Sequence, residues 1–236
     1  MARREDKYML ELKNINHSFG ENIIINNLSY LFEDSSINTI IAPNGTGKTT
    51  LLNIISGLLI PNTGEVTFDA GYSEKDVSLL LSGDANLYRK NTVKENSEFF
   101  GVLMGLSKEE IRHNIEKYEK MFPIYRQIKN VLVEKLSYGQ KRLAALFSAV
   151  ISESKYILID EVSEGLDLEN VKMLKEFLKE IKKDKVIILV SHDYKFVSDV
   201  SDKVLFLADG DFKIVFDKPT EDQIIAAYVE MFMKSK

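Results

Sequence analysis

A glycine-rich stretch at residues 42–50, which reads APNGTGKTT, constrains this chain more than any other feature. It follows a short apolar run at residues 37–41 and precedes leucines and isoleucines at helical spacing, so we expect it to connect a strand to a helix. A loop of this kind presents backbone N–H groups and the positive end of the helix dipole to phosphate oxygens. The stretch therefore predicts a phosphate-binding loop.

The side chains of this loop have separate expected tasks. We expect Lys48 to reach the β- and γ-phosphates of a nucleotide and the Thr49 hydroxyl to bind Mg²⁺. The usual pattern has glycine where Ala42 stands, so the match is incomplete at its first position. The alternative is a glycine-rich turn with a surface lysine, which the position between strand and helix disfavours. The candidate nucleotide-binding residues of the loop are Asn44, Gly45, Thr46, Gly47, Lys48, Thr49 and Thr50.

A pair of carboxylates follows another apolar run, at residues 156–159. A buried strand that ends in Asp160 and Glu161 delivers both side chains to its carboxyl end, where α/β sheets bind ligands. We expect Asp160 to hold Mg²⁺, directly or through a water, and Glu161 to polarise the attacking water. A strand that ends at a solvated acidic turn is the alternative. The phosphate loop in the same chain favours the catalytic interpretation.

The order of the remaining elements predicts the fold class. We expect strands at residues 9–14 and 23–33. After residue 153, strand-like segments at 156–160, 186–190 and 204–207 alternate with helical segments, the first at 166–182, which indicates a mostly parallel sheet with helices on both faces. Between Thr92 and about Ser152 the strand signals nearly vanish, and Ser107 with Glu110 forms a capping-box pattern. We interpret this stretch as a helical subdomain inserted into the α/β core. The hydrophobic content of 44% is ample for a buried core.

Composition and hydropathy exclude several other classes of protein. No apolar run approaches the roughly 18 residues of a membrane helix, so a membrane role would require a partner chain. The absence of cysteine excludes disulfides and thiolate metal sites, and fits a reducing cytosol. A net charge of −5 argues against a broad nucleic-acid footprint, and we expect no nucleic-acid partner.

The decisive motif is LSYGQ at residues 136–140, between the phosphate loop and the acidic pair. Alone it would be an ordinary helix cap. In this order the chain resembles the ATP-binding cassette (ABC) ATPases, whose signature reads LSGGQ with a tolerant third position. Three further elements match the family: SEGLD at residues 163–167 is similar to its D-loop, His192 to its switch histidine, and Phe19 to the aromatic that stacks on adenine.

This resemblance implies a fold and an activity. The implied fold is α/β: a P-loop NTPase core with a mostly parallel sheet, an N-terminal antiparallel β subdomain and an inserted α-helical subdomain. One domain would span residues 1–236, with its core at 1–91 and 153–236 and its helical subdomain at about 92–152. Glu161 and His192 would be catalytic, and the cofactors would be ATP and Mg²⁺. The residues that would bind ATP beyond the phosphate loop are Phe19, Ser137, Gly139, Gln140 and Asp167.

The resemblance also implies partners. Two cassettes would close head to tail, each ATP lying between the phosphate loop of one and the signature of the other, as a homodimer or a heterodimer. A membrane-spanning permease on a separate polypeptide would contain the substrate pocket and would hold this chain at the cytoplasmic face of the membrane. The stretch that begins at Ser82 and continues past Thr92 looks most like cassettes paired with export-type permeases.

One departure from the family leaves alternatives open. Family members have a glutamine between the phosphate loop and the helical subdomain, yet residues 51–126 contain none. Ser82 or Gly83 occupies the equivalent position, and neither side chain reaches as far. A regulatory cassette with weak hydrolysis is therefore one alternative. The other alternative is a soluble ABC ATPase of DNA repair or translation. It is disfavoured because the chain has a single cassette and no long coiled coil.

Overall fold

The computed structural model of the chain describes residues 9–81 and 87–234. The strands within these residues are β1 (Leu10–Phe19), β2 (Asn22–Phe32), β3 (Ser36–Ile41), β4 (Thr63–Phe68), β5 (Val77–Leu80), β6 (Tyr156–Asp160), β7 (Val186–Val190), β8 (Lys203–Ala208) and β9 (Asp211–Asp217). The α-helices are α1 (Lys48–Ile55), α2 (Val93–Leu103), α3 (Lys108–Met121), α4 (Ile124–Ile128), α5 (Tyr138–Ile151), α6 (Leu168–Ile181), α7 (Tyr194–Val200) and α8 (Glu221–Tyr228).

The strands form two sheets. A three-stranded antiparallel sheet has the order β2-β1-β4. A six-stranded sheet has the order β5-β6-β7-β3-β8-β9, and its strands run parallel except for the antiparallel pair β8–β9. The predicted α/β class is confirmed, with a mostly parallel main sheet and an antiparallel sheet built largely from the N-terminal strands.

Burial explains why the central strands read as continuous apolar runs. Every residue of β3, β6 and β7 is buried, because one face of these strands packs against helices that include α5 and α6, and the other packs against α1 and the antiparallel sheet. The bounds predicted for the strands that became β6 and β7 are confirmed.

Helices α2 to α5 lie between β5 and β6 in the chain. Thr92, Ser107 and Ser137 begin α2, α3 and α5 with capping boxes, which confirms the pattern predicted at Ser107. Aromatic rings of Phe122, Tyr125 and Phe147 stack where α3, α4 and α5 meet. None of the helices in the described residues is long and apolar enough to cross a membrane.

Three element boundaries differ from the sequence prediction. β1 continues to Phe19 instead of ending at Asn14, because residues 15–19 keep pairing with β2 beyond an irregularity at Asn14, where φ is 50°. α1 begins at Lys48, one turn before its first leucine, since the phosphate loop itself forms the helix entry. α6 begins at Leu168 instead of Leu166, because the Asp167 side chain caps it.

The strand order brings three loops to one edge of the main sheet. β7 lies between β6 and β3 and pairs with both in parallel, so all three strands end at the same edge. The phosphate loop leaves β3, Glu161 follows β6, and His192 follows β7. Residues far apart in sequence therefore meet at this carboxyl edge, the usual ligand site of such sheets.

Candidate functional site

The phosphate loop depends on two glycines with positive φ. Gly45 has a φ of 82° and Gly47 a φ of 101°, conformations that are strained for other residues. A Cβ at Gly47 would lie 2.6 Å from Cγ2 of Ile24, so β2 also excludes a side chain there. Gly47 is the N-cap of α1 and makes no side-chain cap hydrogen bond, which leaves the first N–H groups of the helix available to an anion.

Lys48 is a buried cation held inside this loop. Its Nζ donates hydrogen bonds to the carbonyl oxygens of Ala42 (2.7 Å) and Pro43 (2.9 Å), and the residue is 8% exposed. Burial lowers the pKa of Lys48, while the nearby carboxylates of Glu161 and Asp160 act in the opposite direction. A buried positive charge beside open backbone N–H groups suits the β- and γ-phosphates of a nucleotide.

Thr49 and Asp160 bring oxygen ligands together at the start of α1. The Thr49 hydroxyl donates to Oδ2 of Asp160 over 3.4 Å, and Asp160 is 7% exposed. The part of the chain that the structure describes has no cluster of three or more histidine, cysteine or acidic side chains that could hold a metal alone. A hydroxyl and a carboxylate that face a phosphate loop match the hard-oxygen preference of Mg²⁺, with phosphate oxygens completing the ligand set.

Glu161 has an unusual backbone conformation and one carboxylate oxygen without a hydrogen-bond partner among the described residues. Its φ is 58°, and its backbone N–H donates to the carbonyl of Val190 over 2.9 Å, which fixes the residue against the end of β7. Among the described residues, Oε1 of Glu161 is buried and has no hydrogen-bond partner. Burial, followed by the negative charge of Asp160, raises the pKa of Glu161 to about 7. Such a carboxyl group is poised to accept a proton near neutral pH.

His192 faces the same carboxylate. Its Nε2 lies 3.6 Å from Oε1 of Glu161, too far for a direct hydrogen bond and close enough for one bridging oxygen. Burial and the charge of Lys48 lower the pKa of His192, with Asp160 opposing them, so the ring is mainly neutral at pH 7. A neutral imidazole can both accept and donate at this position.

These residues line one cavity of about 390 Å³, here called the edge cavity. Its lining residues are Ile24, Asn44, Gly45, Gly47, Lys48, Thr49, Thr50, Asp160, Glu161 and His192. Sequence reasoning predicted all of them except Ile24, whose contact with Gly47 depends on how β2 crosses the loop. Thr46, the other predicted loop residue, lies beside the cavity and turns its hydroxyl onto the Pro43 carbonyl at 2.8 Å.

The remaining predicted residues lie outside the lining of the edge cavity. Phe19 ends β1, is 56% exposed and contacts the ring of His17 at 4.8 Å. Ser137 and Gln140 form the capping box of α5, in which Gln140 N–H donates to Ser137 Oγ at 3.2 Å. Asp167 caps α6 by accepting from the N–H of Asn170 at 2.8 Å. Ser82 and Gly83 fall outside the described residues.

Gly139 is pressed against the loop that follows Glu161. A Cβ at Gly139 would lie 2.7 Å from the carbonyl oxygen of Gly165 and 2.8 Å from Cδ2 of Leu166. Sequence reasoning missed Arg142, a neighbouring residue of α5 that is 6% exposed and donates to the Asp160 carbonyl at 3.1 Å. Its spacing of four residues from Tyr138 was the available signal, since residues four apart share a helix face.

Comparisons with known proteins bear on the family of the chain. The family model described as "ABC transporter" matches residues 25–164. The ABC transporter ATP-binding protein NatA of Bacillus subtilis is 33% identical over 174 residues, which are 71% of this chain and 70% of that protein. The spermidine/putrescine import ATP-binding protein PotA of Mycoplasma capricolum is 30% identical over 208 residues. That match covers 82% of this chain and only 57% of PotA.

Solved structures support the fold. The structure of cbiO1 from Clostridium perfringens, part of the ABC transporter complex cbiONQ, matches with a TM-score of 0.79 at 23% identity. The match covers 97% of each chain.

Proposed function

This chain belongs to the ABC transporter family, and from that membership we propose that it binds ATP in the edge cavity and hydrolyses it there. The convergence of Lys48, Asp160 and Glu161 in one cavity is the observation that carries the proposal. Lys48 begins α1, which follows β3, and the two carboxylates lie at the end of β6, so no short motif brings them together.

The proposed binding mode uses the phosphate loop as a cradle. Backbone N–H groups at the start of α1 and the Lys48 ammonium hold the β- and γ-phosphates, and Lys48 exchanges its carbonyl partners for phosphate oxygens. Phe19 offers an exposed ring for adenine at the end of β1. Thr49 and Asp160 hold Mg²⁺, which would neutralise charge that develops on the phosphates.

In the proposed hydrolysis step, Glu161 orients and polarises the attacking water. Its unpartnered Oε1 and its pKa near 7 suit a group that must accept a hydrogen bond from water and take up charge near neutral pH. His192, at 3.6 Å, contacts the same region and stabilises the γ-phosphate.

A second cassette completes the site. Ser137, Gly139 and Gln140 lie at the N-terminus of α5, outside the edge cavity of their own chain, and Asp167 lies at the N-terminus of α6. We propose that these residues serve the ATP bound by a second cassette, which is another copy of this chain or a related one. Helix N-termini favour anions, so they suit an opposing γ-phosphate.

A membrane-spanning permease on a separate polypeptide is the proposed further partner. Apolar side chains are exposed on and beside α2, with Tyr88 52%, Leu103 61% and Met104 40% exposed. The rings of Tyr88 and Phe99 contact each other at 4.8 Å. A cavity of about 500 Å³ that Tyr88 and Met104 help to line adjoins this patch. An apolar patch of this kind marks a protein-binding surface, and it would hold residues 92–152 against the permease at the cytoplasmic face of the membrane.

Export was expected from the sequence around residues 82–96, but the comparisons do not support it, because similar proteins whose names state a direction, PotA among them, are named as import proteins.

A regulatory cassette with weak hydrolysis is the second candidate function. The lack of glutamine in residues 51–126 favours it, whereas the intact Glu161 and His192 favour turnover. ATPase assays distinguish a regulatory cassette from a hydrolysing one when they are run with the permease that co-purifies from membranes. A regulatory cassette would bind ATP with little turnover.

The test of the nucleotide site is the affinity of purified protein for Mg-ATP before and after Lys48→Ala. Removal of the buried cation should weaken binding by about 100-fold, since charge-assisted hydrogen bonds to phosphate are strong. Lys179→Ala on the exposed face of α6 is the matched control and should bind as the wild type does. Wild-type affinity in Lys48→Ala would refute the phosphate-loop assignment.

A further inference from the structure

Two segments of the chain touch closely beside the acidic strand. The first is the signature segment, residues 136–140, at the start of α5. The second is the acidic loop, residues 163–167, which lies just after Glu161. A Cβ at Gly139 would lie 2.7 Å from the Gly165 carbonyl oxygen, and a Cβ at Gly165 would lie 2.8 Å from Cδ1 of Tyr138. The segments therefore pack backbone to backbone with almost no free space.

Arg142 connects both segments to the end of β6. Its Nη1 donates to the carbonyl oxygen of Asp160 at 3.1 Å. Its Nη2 donates to the hydroxyl of Tyr138 at 2.6 Å and to Oε2 of Glu164 at 3.0 Å. The arginine is 6% exposed, whereas the side chain of Glu164 is 63% exposed, so the guanidinium is shielded from solvent and the carboxylate end of the contact is not.

Tyr138 supplies the second half of the connection. Its hydroxyl donates to Oε2 of Glu164 at 3.2 Å while it accepts from Arg142, and the guanidinium lies 4.9 Å from the centre of its ring. Glu164 is otherwise an exposed side chain in a loop with a positive φ at Gly165. Without these contacts, little else in the acidic loop would fix the Glu164 side chain.

We propose that Tyr138, Arg142 and Glu164 form a three-residue clamp that positions the acidic loop against the signature segment for ATP turnover. The clamp rests on the proposed function, because the signature segment serves ATP in a second cassette only if that function holds. Tyr138 and Arg142 are positioning residues, since neither lines the edge cavity.

The clamp connects the end of β6 to the signature segment. Arg142 donates a hydrogen bond to the carbonyl oxygen of Asp160. This carbonyl group directly precedes the backbone N–H of Glu161, whose φ is 58°. The same guanidinium holds Tyr138, which lies between Ser137 and Gly139 in the signature segment. A shift of the signature segment is therefore transmitted to the backbone that carries the proposed base. Loss of the clamp should lower kcat and leave the affinity of the phosphate loop for nucleotide unchanged.

Tyr138→Phe tests the clamp with the least disturbance. The variant keeps the ring and its packing against Gly165, and loses the two hydrogen bonds of the hydroxyl to Arg142 and Glu164, while the direct bond between Arg142 and Glu164 remains. In the full nucleotide-free chain, hydrogen–deuterium exchange at residues 162–167 should accelerate by about three- to tenfold, as expected for the loss of two partly exposed hydrogen bonds. Exchange at residues 42–50 should stay unchanged. Tyr228→Phe on α8 removes a tyrosine hydroxyl far from the clamp and should leave both regions as in the wild type.

Steady-state ATPase kinetics supply the functional readout. Tyr138→Phe should lower kcat by about three- to tenfold with the KM for ATP within about twofold of the wild type. Glu164→Ala, which removes the acceptor that Tyr138 and Arg142 share, should have a similar effect, and the effects should be less than additive in the double variant because Tyr138 and Glu164 contact each other.

Two results would overturn the clamp. Unchanged exchange at residues 162–167 in Tyr138→Phe would show that the hydroxyl does not hold the loop. Faster exchange with an unchanged kcat would show that the contact is structural only. Failure of the proposed function is distinguishable, because it would appear as unaltered Mg-ATP affinity in Lys48→Ala, whereas the exchange measurement needs no nucleotide.

Discussion

Oε1 of Glu161 and Nε2 of His192 lie 3.6 Å apart across the edge cavity. Burial shifts the two pKa values in opposite directions, since it raises the pKa of Glu161 to about 7 and lowers the pKa of His192. Near neutral pH the imidazole is mainly uncharged, while the carboxyl group can gain or lose its proton with little cost. We expect the attacking water in the edge cavity, beside these two atoms and within hydrogen-bond distance of Oε1.

The rate of hydrolysis should depend on the protonation of Glu161. As a base it is active when ionised, so kcat/KM for ATP should fall as the pH drops below about 7, by up to tenfold per pH unit. A pH–rate profile of the wild-type protein measures this directly. A profile that stays flat between pH 5.5 and pH 7.5 would contradict the assignment of the raised pKa to the catalytic base.

The same pKa predicts a change in stability. Between pH 4.5 and about 7 the folded protein keeps a proton on Glu161 that the unfolded chain has released, so the free energy of unfolding falls across this range and stays lowered above it. Glu161→Gln removes that penalty. The variant should be more stable than the wild type by on the order of 2 kcal/mol at pH 8, and by much less at pH 5.

Urea unfolding at the two pH values measures this difference. Glu176→Gln, which neutralises an exposed carboxylate on α6, is the matched control and should change stability little at either pH. An equal stabilisation by Glu161→Gln at pH 5 and pH 8 would mean that ionisation of Glu161 is not its source.

Gly139→Ala should separate turnover from nucleotide binding. The new Cβ would meet the Gly165 carbonyl at 2.7 Å, and because this neighbour is backbone, the start of α5 must move away from the acidic loop. A displacement of this size can cost about 100-fold in turnover. ATP affinity of the monomer should stay close to the wild type, since Gly139 lies outside the edge cavity. Fluorescence titration measures this affinity. A loss of ATP affinity as large as that in Lys48→Ala would contradict the proposed role of Gly139 in a second site.

Much of the fold could be predicted because its signals are local. β6 and β7 are fully buried, so each reads as an unbroken apolar run that ends where polar residues begin. The phosphate loop was predictable because positive φ at Gly45 and Gly47 permits few residues other than glycine. The start of α1 was placed too late, since its first turn contains Lys48 and Thr49 instead of the apolar residues that mark helical periodicity.

The parts of the site that sequence reasoning missed depend on distances across the fold. Ile24 approaches Gly47 only because β2 crosses the phosphate loop. Arg142 and Glu164 are 22 residues apart, and no spacing rule connects a helix to a loop at that separation. The raised pKa of Glu161 likewise comes from burial, and burial is a property of the assembled sheet and helices.

The central claim is that Glu161 acts as the base for ATP hydrolysis in the edge cavity, and the ATPase rate of Glu161→Gln tests it most directly. Glutamine keeps the size and hydrogen bonding of the side chain and removes its basicity, so the rate should fall by about 10²–10⁴. Mg-ATP affinity should be retained, because Lys48, Thr49 and Asp160 are untouched, whereas Asp160→Asn should lose Mg²⁺-dependent affinity as well as turnover. Hydrolysis by Glu161→Gln at the wild-type rate would contradict the claim.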